Sequence, residues 1–194
     1  MKDKRHADMV NKVVNILRND TNNILEVEQP YNYFGDRGVI DLVWAFPGSG
    51  CWYIRLVEFK TEIVDLGETI RQIKKASKYY PLSNNTVNGV IIPSDNLVVQ
   101  NVLVIADTEQ NINKIIEYKN MLASINNFTC CVLVDDNRHL FSDKATKLGC
   151  PPLYAILLDE PQCQVFGCSI DSYLNERLNS LKKYPILQIL NPLV

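Results

Sequence analysis

The 194-residue sequence has few of the residues that form zinc or iron–sulfur sites. Its two histidines, His6 and His139, have no partner histidine at metal-ligand spacing. The six cysteines include no C-x-x-C pair. The adjacent Cys130 and Cys131 would point to opposite faces of a strand, as packing side chains do. We therefore interpret both histidines as incidental and the cysteines as buried thiols.

The sequence also lacks a hydrophobic run long enough to cross a bilayer. The longest apolar stretches, Leu97–Ala106 and Phe128–Val134, are short and contain Gln, Asn or Thr. The first residues are charged and no apolar segment follows them, so a signal peptide is not indicated. We expect no membrane segment and an intracellular location, cytoplasmic or, for a viral protein, in the host cytoplasm.

There is no excess of positive charge. The chain has 20 Lys and Arg against 22 Asp and Glu, a net charge of −2, whereas proteins that coat nucleic acid by bulk electrostatics are usually basic. The charge is uneven, because residues 1–80 hold 12 basic and 11 acidic residues and residues 81–194 hold 8 and 11. An enzyme that meets nucleic acid through one local basic strip is compatible with this distribution.

Hydrophobic periodicity predicts a mixed α/β sheet flanked by helices. Pro30 is expected to close the first strand, and Pro81 to stop the second helix. We predict one domain over 1–194, with a core over about 4–135 and a small C-terminal β/α extension over 136–194. The predicted core elements, in chain order, are a helix over 4–19, strands over 24–28, 39–46 and 51–59, a helix over 68–80, a strand over 98–106, a helix from Asp107 or Thr108 to about 125, and a strand over 128–134.

Three charged residues fall at the ends of two predicted strands that the turn at 47–50 would join into a hairpin. Strand side chains alternate, so Glu58 and Lys60 share one face. In the hairpin, position 41 lies opposite about position 57, which brings Asp41 within a residue or two of Glu58. Paired carboxylates with an open face bind Mg²⁺ or Mn²⁺. A lysine beside them can orient a water or stabilise a phosphorane-like charge, which suits phosphodiester hydrolysis.

The helix over 68–80 carries a basic face. Its four cations are spaced 3, 1 and 3 residues apart, which groups them on one side of a helix that could hold phosphates flanking the scissile one. The alternative is an ordinary solvated helix face. Arg37 is a further candidate phosphate contact, whereas Arg55 is discounted because it points to the face opposite Glu58. The four helix cations are Arg71, Lys74, Lys75 and Lys78.

Two motifs in this order resemble those of a known family. They are Gly38-Val-Ile-Asp41-Leu-Val-Trp44 and Val57-Glu58-Phe59-Lys60-Thr61, with sixteen residues between the two acidic positions. Together they resemble the PD-(D/E)XK nuclease superfamily, and the helix, three-strand, helix, strand order over about 4–106 matches that family's core. The family's proline is absent, since Ile40 precedes Asp41. The resemblance implies a restriction-endonuclease-like fold with an α-β-β-β-α-β core.

The resemblance further implies a divalent-metal-dependent endonuclease that uses Mg²⁺ or Mn²⁺, with DNA favoured over RNA as its substrate. By it, Asp41 and Glu58 would be metal ligands, with the backbone carbonyl of Phe59 as a third. Lys60 would position the nucleophilic water. These are expectations about roles, and they come from the family and not from spacing.

Two supporting residues are implied in the same way. Many members have another acidic residue from the first helix or strand, and Glu28 is the candidate here. Glu26 shares its face, and the sequence does not separate the two. Some branches place Gln and Tyr on the following helix. Gln72 suits the first position, but the residue four later is Ala76.

Two other hypotheses stay open. The superfamily has members that keep the fold without catalysis, as nucleic-acid-binding or regulatory modules, although the intact Asp, Glu and Lys speak against this. The chain could also be a subunit of a larger assembly. Its predicted hairpin at 153–166 is a candidate surface for a homodimer or another partner, since double-strand cleavage by a single-site nuclease commonly needs two protomers.

Overall fold

The structure, a computed structural model, describes residues 4–18, 21–48, 50–83, 86–106, 108–122, 124–133 and 153–156. Its helices are α1 (Lys4–Leu17), α2 (Leu66–Ser83), α3 (Glu109–Glu117) and α4 (Lys119–Leu122). Its strands are β1 (Ile24–Tyr33), β2 (Asp36–Pro47), β3 (Trp52–Lys60), β4 (Thr86–Val87), β5 (Val90–Ile91), β6 (Leu97–Ala106), β7 (Phe128–Leu133) and β8 (Leu153–Ile156).

Six of the strands form one mixed sheet in the order β1-β2-β3-β6-β7-β8, and β4 and β5 form a separate small hairpin. The first three strands are antiparallel neighbours, β6 and β7 run parallel to β3, and β8 returns antiparallel to β7. The predicted mixed α/β class is confirmed. The predicted hairpin of β2 and β3 is also confirmed. Leu42 lies opposite Val57, whereas Asp41, one residue earlier, was the expected partner.

Helix α1 covers one face of the sheet. Its apolar side chains recur at helical spacing, and Val13 and Val14 are fully or almost fully buried against Leu42, Trp44 and the other residues of one core cluster. Burial of each such side chain stabilises the fold by about 1.5–3 kcal/mol. The match between helical period and sheet face is what fixes α1 against β2 and β3.

Helix α2 contributes to a second core cluster on the opposite face. Its Tyr80 packs in this cluster with Val43, Ala45 and Leu56. Burial raises the pKa of the Tyr80 hydroxyl, and the charge of Glu26 adds to this. The two clusters hold β2 and β3 between α1 and α2, so residues at the ends of these strands are presented between two helices.

Two proline predictions are wrong. Strand β1 continues through Pro30 to Tyr33, because β1 is the edge strand, where a missing N–H costs no ladder bond. The segment 31–38, predicted as a loop, is therefore mostly strand around a turn at Phe34 and Gly35. Helix α2 continues two residues past Pro81, since proline near a helix C-terminus removes only one hydrogen bond.

The helix predicted from Asp107 or Thr108 to about residue 125 is two helices. Thr108 caps α3, its hydroxyl accepting a hydrogen bond from the backbone N–H of Asn111. At Tyr118 the backbone leaves helical geometry (φ −106°, ψ 20°) before α4 begins. Of the predicted C-terminal extension, the structure describes only β8, so its helix, its tail and the rest of its hairpin lie outside the described residues. Within the described ranges, no helix is both long and apolar enough to span a bilayer.

Candidate functional site

Strands β2 and β3 deliver the three predicted site residues to one place. Asp41, Glu58 and Lys60 all line a cavity of about 470 Å³, which we call the site cavity. Its walls also include residues of α1, of α2 and of the segment after β3. The predicted convergence of two carboxylates and one ammonium is therefore confirmed as geometry.

Asp41 is 7% exposed and is held from two sides. Its Oδ2 accepts a hydrogen bond of 2.9 Å from the backbone N–H of Phe59. The same oxygen lies 3.2 Å from Nε2 of His6. These contacts fix the carboxylate at the junction of β2, β3 and α1.

The regular pleat is interrupted at Asp41. The β1–β2 ladder pairs Val27 with Leu42 and Gln29 with Ile40, and Glu28 between them has a positive φ of 58°. Ile40 and Val43 pack in the same core cluster, on one face of the sheet. Strict alternation would put two residues three positions apart on opposite faces. Such interruptions re-aim side chains and are common beside active sites.

His6 is a site residue that the sequence interpretation missed. Its side chain is 17% exposed, it lines the site cavity, and its ring meets Phe59 edge-on at 6.4 Å. The interpretation of His6 as incidental is wrong, because α1 crosses the sheet beside Asp41. One signal was present: His6 continues the apolar stripe of Val10, Val13 and Leu17 by one further turn.

Glu58 and Lys60 form an ion pair at the cavity wall. Lys60 Nζ lies 2.7 Å from Glu58 Oε1 and donates a second hydrogen bond of 3.1 Å to Gln72 Oε1. Burial raises the pKa of the Glu58 carboxyl, and the charge of Asp41 raises it further, whereas Lys60 and His6 oppose the shift. The two carboxylates and the Lys60 ammonium thus share one partly buried site, in which Asp41 and Lys60 shift the pKa of Glu58 in opposite directions.

The raised pKa of Glu58 gives the folded protein a pH-dependent penalty. The folded pKa lies above the usual 4.5, so the stability contributed by the protonated form is complete below about pH 4.5 and is lost as the pH rises through the folded pKa. Glu58→Gln removes the titration. In EDTA we expect the variant to gain Tm relative to wild type between pH 5 and 8 by a few degrees, about 2–4 °C for each kcal/mol, and to gain least at pH 4.

Thermal melts across this pH range check the prediction. The exposed Glu117→Gln variant is the control for removal of a surface carboxyl, and it should gain less Tm than Glu58→Gln does. A Tm difference for Glu58→Gln that is constant with pH would show that the carboxyl carries no such penalty.

The predicted nucleic-acid contacts divide into two groups. Arg37, Arg71, Gln72 and Lys75 line the site cavity, and Lys74 and Lys78 do not. Lys74 donates to Ser124 Oγ at 2.9 Å, away from the site. The spacing predicted one basic face on α2, but only Arg71 and Lys75 of its four cations reach the cavity.

The cavity cations have acidic partners. Arg71 donates two hydrogen bonds of 2.7 Å to Glu68, and Lys75 lies 2.9 Å from Asp36. The hydrogen bonds with Arg71 hold the pKa of Glu68 below its usual value. These exposed pairs are worth little to stability, so a phosphate can compete for the cations.

The structure does not bring Glu28 or Glu26 to the cavity: neither is among its described lining residues. The positive φ at Glu28 takes it out of the regular strand, and its side chain is exposed. Glu26 accepts a short hydrogen bond of 2.5 Å from the backbone N–H of Asn88 at the β4–β5 turn. The placement argues against either as the assisting acidic residue.

Arg55 lies away from the cavity, as its strand alternation predicts. Its guanidinium sits 4.4 Å from the Trp44 ring centroid and 4.6 Å from that of Phe46, and it donates to Gln100 Oε1 at 2.8 Å. Burial lowers the pKa of Arg55 to about 10. Its role is to fill the α1 side of the sheet.

Tyr31 and Gly38 line the site cavity. No role for either of them was predicted from the sequence. Tyr31 is 6% exposed, and burial raises the pKa of its hydroxyl. A Cβ at position 38 would collide with the Tyr31 ring. The glycine therefore lets the ring lie across β2.

The segment after Lys60 is secured by Asn111 on α3. The buried amide accepts from the backbone N–H of Ile63 at 2.8 Å and donates to the carbonyls of Thr61 at 3.0 Å and Ala106 at 3.1 Å. Lys114 adds a hydrogen bond of 3.0 Å to the carbonyl of Val64. This bracket fixes the chain directly after the site lysine, and sequence reasoning had no signal for it.

Removal of the bracket should be costly. Asn111→Ala removes the partner of the buried Ile63 N–H and of the part-buried Thr61 carbonyl, whereas the Ala106 carbonyl keeps the N–H of Thr108. We expect a loss of about 2–4 kcal/mol, or roughly 5–15 °C in Tm. Denaturant unfolding measures this directly. The neighbouring exposed Gln110→Ala is the matched control and should lose less than about 0.5 kcal/mol. Equal losses of stability in the two variants would contradict a stabilising role for the Asn111 hydrogen bonds.

The donor set fits a hard divalent cation. Mg²⁺ is commonly bound through one or two carboxylates while it keeps several waters, and Asp41 and Glu58 present such a pair in one cavity. The part of the chain that the structure describes contains no group of three or more His, Cys, Asp or Glu side chains placed to hold a metal ion. Asp41 and Glu58 therefore fit a Mg²⁺ site of the kind that uses one or two carboxylates.

Comparison with known proteins found no match to this chain among protein-family models, curated proteins or solved structures. Function is therefore inferred from the geometry of the site cavity.

Proposed function

We propose that this chain is a divalent-metal-dependent nuclease of the PD-(D/E)XK type, which hydrolyses phosphodiester bonds with DNA as the favoured substrate. The observation that carries the proposal is the meeting of Asp41, Glu58 and Lys60 in one open cavity. Each residue comes from the position that the motif requires.

The element order supports a restriction-endonuclease-like fold. A helix is followed by three antiparallel strands, a helix and, after the small β4–β5 hairpin, a strand parallel to the third. Helices α1 and α2 belong to core clusters on opposite faces of the sheet. The site cavity lies where β2 begins and β3 ends, and both carboxylates line it.

Asp41, Glu58 and the Phe59 carbonyl are the proposed metal ligands. A bound Mg²⁺ or Mn²⁺ would polarise the scissile phosphate and lower the pKa of the attacking water. The hydrogen bond from the Phe59 N–H to Asp41 Oδ2 fixes one ligand relative to the strand that carries the other two. This preorganises the carboxylates before substrate arrives.

Lys60 orients the nucleophile. Its ammonium is held by Glu58 Oε1 and Gln72 Oε1, and an ammonium has three N–H donors. The third donor is directed to the attacking water or to a phosphate oxygen on which charge develops. Gln72 is thus a positioning residue, since it acts through Lys60.

The cavity cations hold phosphates on either side of the reacting one. Arg37, Arg71 and Lys75 line the same cavity as the carboxylates, so a strand bound there meets negative charge at the centre and positive charge at the rim. Binding is then weak without metal, because the carboxylates repel the scissile phosphate. The net charge of −2 is compatible with such a narrow grip.

A cleavage panel tests the proposal. Purified protein is incubated with double-stranded, single-stranded and branched DNA and with RNA, each with Mg²⁺, Mn²⁺ or EDTA. We expect cleavage of at least one substrate with metal and none with EDTA. Binding without cleavage of any substrate would favour a non-catalytic nuclease-fold module, and neither binding nor cleavage would overturn the proposal.

A further inference from the structure

The turn between β1 and β2 presents an aromatic ring to solvent. Phe34 is 94% exposed, the highest value among the exposed large hydrophobic side chains that the structure describes. The next residue along the turn is Gly35, and both have positive φ, at 49° and 89°. Exposed apolar surface of this kind costs solubility and contributes nothing to the core.

Folding does not account for the choice of phenylalanine. Two-residue hairpin turns with positive φ at both positions favour Asn-Gly, Asp-Gly or Gly-Gly, and a bulky residue with positive φ is a genuine outlier. Phe34 is therefore unfavourable for the turn both in its backbone conformation and in its exposure. A residue that opposes folding in two ways points to a binding role at that position.

The ring is buttressed from behind. Tyr33 meets Phe34 edge-to-face at 4.6 Å and stacks on Tyr79 of α2 at 5.3 Å. Hydrogen bonds from Lys75 and Tyr79 hold the pKa of Asp36 below its usual value. The turn is thus tied to α2, so the exposed ring is held in place instead of swinging with a free loop.

Positive charge exceeds negative charge beside the ring, because Arg37, Lys75 and Lys78 accompany one carboxylate, Asp36, which pairs with Lys75 at 2.9 Å. Lys78 Nζ lies 5.1 Å from the Tyr79 ring centroid, and Lys75 donates to the carbonyl of Arg37. Arg37 then lines the cavity together with Asp41. At about 3.3 Å per strand residue, Phe34 and Asp41 are roughly 23 Å apart along β2.

A ligand that complements this surface must stack on an aromatic ring and also carry phosphates for the neighbouring cations. Proteins that bind single strands combine a positively charged track for the backbone with aromatic rings on which bases stack. In a duplex the bases are already stacked on one another and are not available to Phe34. A protein partner or a second copy of the chain would complement the ring, and it would need acidic side chains of its own to complement the cations.

We propose that Phe34, supported by Tyr33 and Tyr79, is a stacking platform for unpaired nucleobases whose phosphates lie along Arg37, Lys75 and Lys78. The substrate class is then nucleic acid with a single-stranded segment beside the cleavage point. This inference rests on the proposed nuclease function, because it names the substrate class of the same site. Binding of nucleic acid by Phe34 can be measured without cleavage.

The test is binding of fluorescein-labelled single-stranded DNA, single-stranded RNA and a blunt DNA duplex, measured by fluorescence anisotropy in EDTA so that nothing is cleaved. Phe34→Asn removes the ring and suits the positive φ, so its Tm should equal or exceed that of wild type. Loss of one base–aromatic stack weakens binding about 5- to 150-fold. We expect a loss in this range for the single strands, less than about twofold for the duplex, and wild-type affinity in Phe34→Trp.

The half-exposed Tyr118→Ala, at the C-cap of α3, is the matched aromatic control and should bind as wild type does. Comparison of the DNA and RNA arms shows which sugar accompanies the stacked bases. Unchanged single-strand affinity in Phe34→Asn would overturn the platform, as would an equal loss on the duplex. A change in oligomeric state with unchanged affinity would instead assign the ring to a contact between copies.

The two proposals fail separately. If wild type cleaves with Mg²⁺ and Phe34→Asn binds single strands as wild type does, the platform is wrong and the nuclease stands. If wild type cleaves nothing but binds single strands through Phe34, the platform stands and the nuclease is wrong.

Discussion

Lys60→Ala is expected to lower the single-turnover cleavage rate with Mg²⁺ by about 10²- to 10⁴-fold, the range of a side chain that takes part in proton transfer at the reacting centre. The ammonium bridges Glu58 on the strand and Gln72 on α2, so no neighbour can replace it. Its loss removes the donor that orients the nucleophile and leaves the two carboxylates in place. Metal binding should therefore persist while the rate falls.

The controls separate chemistry from folding. Circular dichroism and Tm should show a folded Lys60→Ala, and the exposed Lys12→Ala on α1 should cleave at the wild-type rate. Lys60→Arg is expected to recover little, because a planar guanidinium fits neither the reach nor the point charge of an ammonium. A Lys60→Ala rate within tenfold of wild type would show that the cavity does not work as proposed.

The part of the site that could be predicted from sequence is the part built locally. Asp41, Glu58 and Lys60 lie on two strands joined by one short turn, and turn geometry sets the register of a hairpin. Strand alternation then places Glu58 and Lys60 on one face. This inference uses only residues that lie close together in the chain, which is why the predicted register was correct to within one residue.

What could not be predicted depends on distant packing. His6 reaches Asp41 from 35 residues away, and Asn111 reaches the segment after Lys60 from 48 residues away. Both positions follow from how α1 and α3 dock on the sheet, which no local pattern encodes. The error at Pro30 has the same origin, since proline is tolerated only because β1 lies at the edge.

Glu28 lies outside the site cavity for a different reason. It was a candidate because of the family resemblance, and its positive φ of 58° takes it out of the regular strand. The same irregularity lies across the ladder from Asp41, whose carboxylate contacts both Phe59 and His6. The local departure from strand geometry therefore keeps one predicted ligand out of the cavity and places another in it.

Asp41→Asn is expected to abolish measurable Mn²⁺ binding and to reduce cleavage by at least about 100-fold, since even outer-shell partners of a metal ligand cost about 10- to 100-fold when removed. The substitution is nearly isosteric, and the amide oxygen can still accept from the Phe59 N–H. It also removes the charge that helps to raise the pKa of Glu58. In EDTA at pH 8 the variant should therefore be at least as stable as wild type, with a pKa of Glu58 closer to its usual value.

Calorimetric titration with Mn²⁺, paired with thermal melts in EDTA, measures both effects in one set of samples. The exposed Asp95→Asn carries the same change of charge at a distance from the cavity, and it should leave the heat of binding unaltered. Wild-type heat in Asp41→Asn would mean that the cavity carboxylates are not the metal site, and the non-catalytic module would then be the better explanation of the fold. Loss of metal binding together with retained stability is the signature of a functional carboxylate, because a residue kept for folding would lose both.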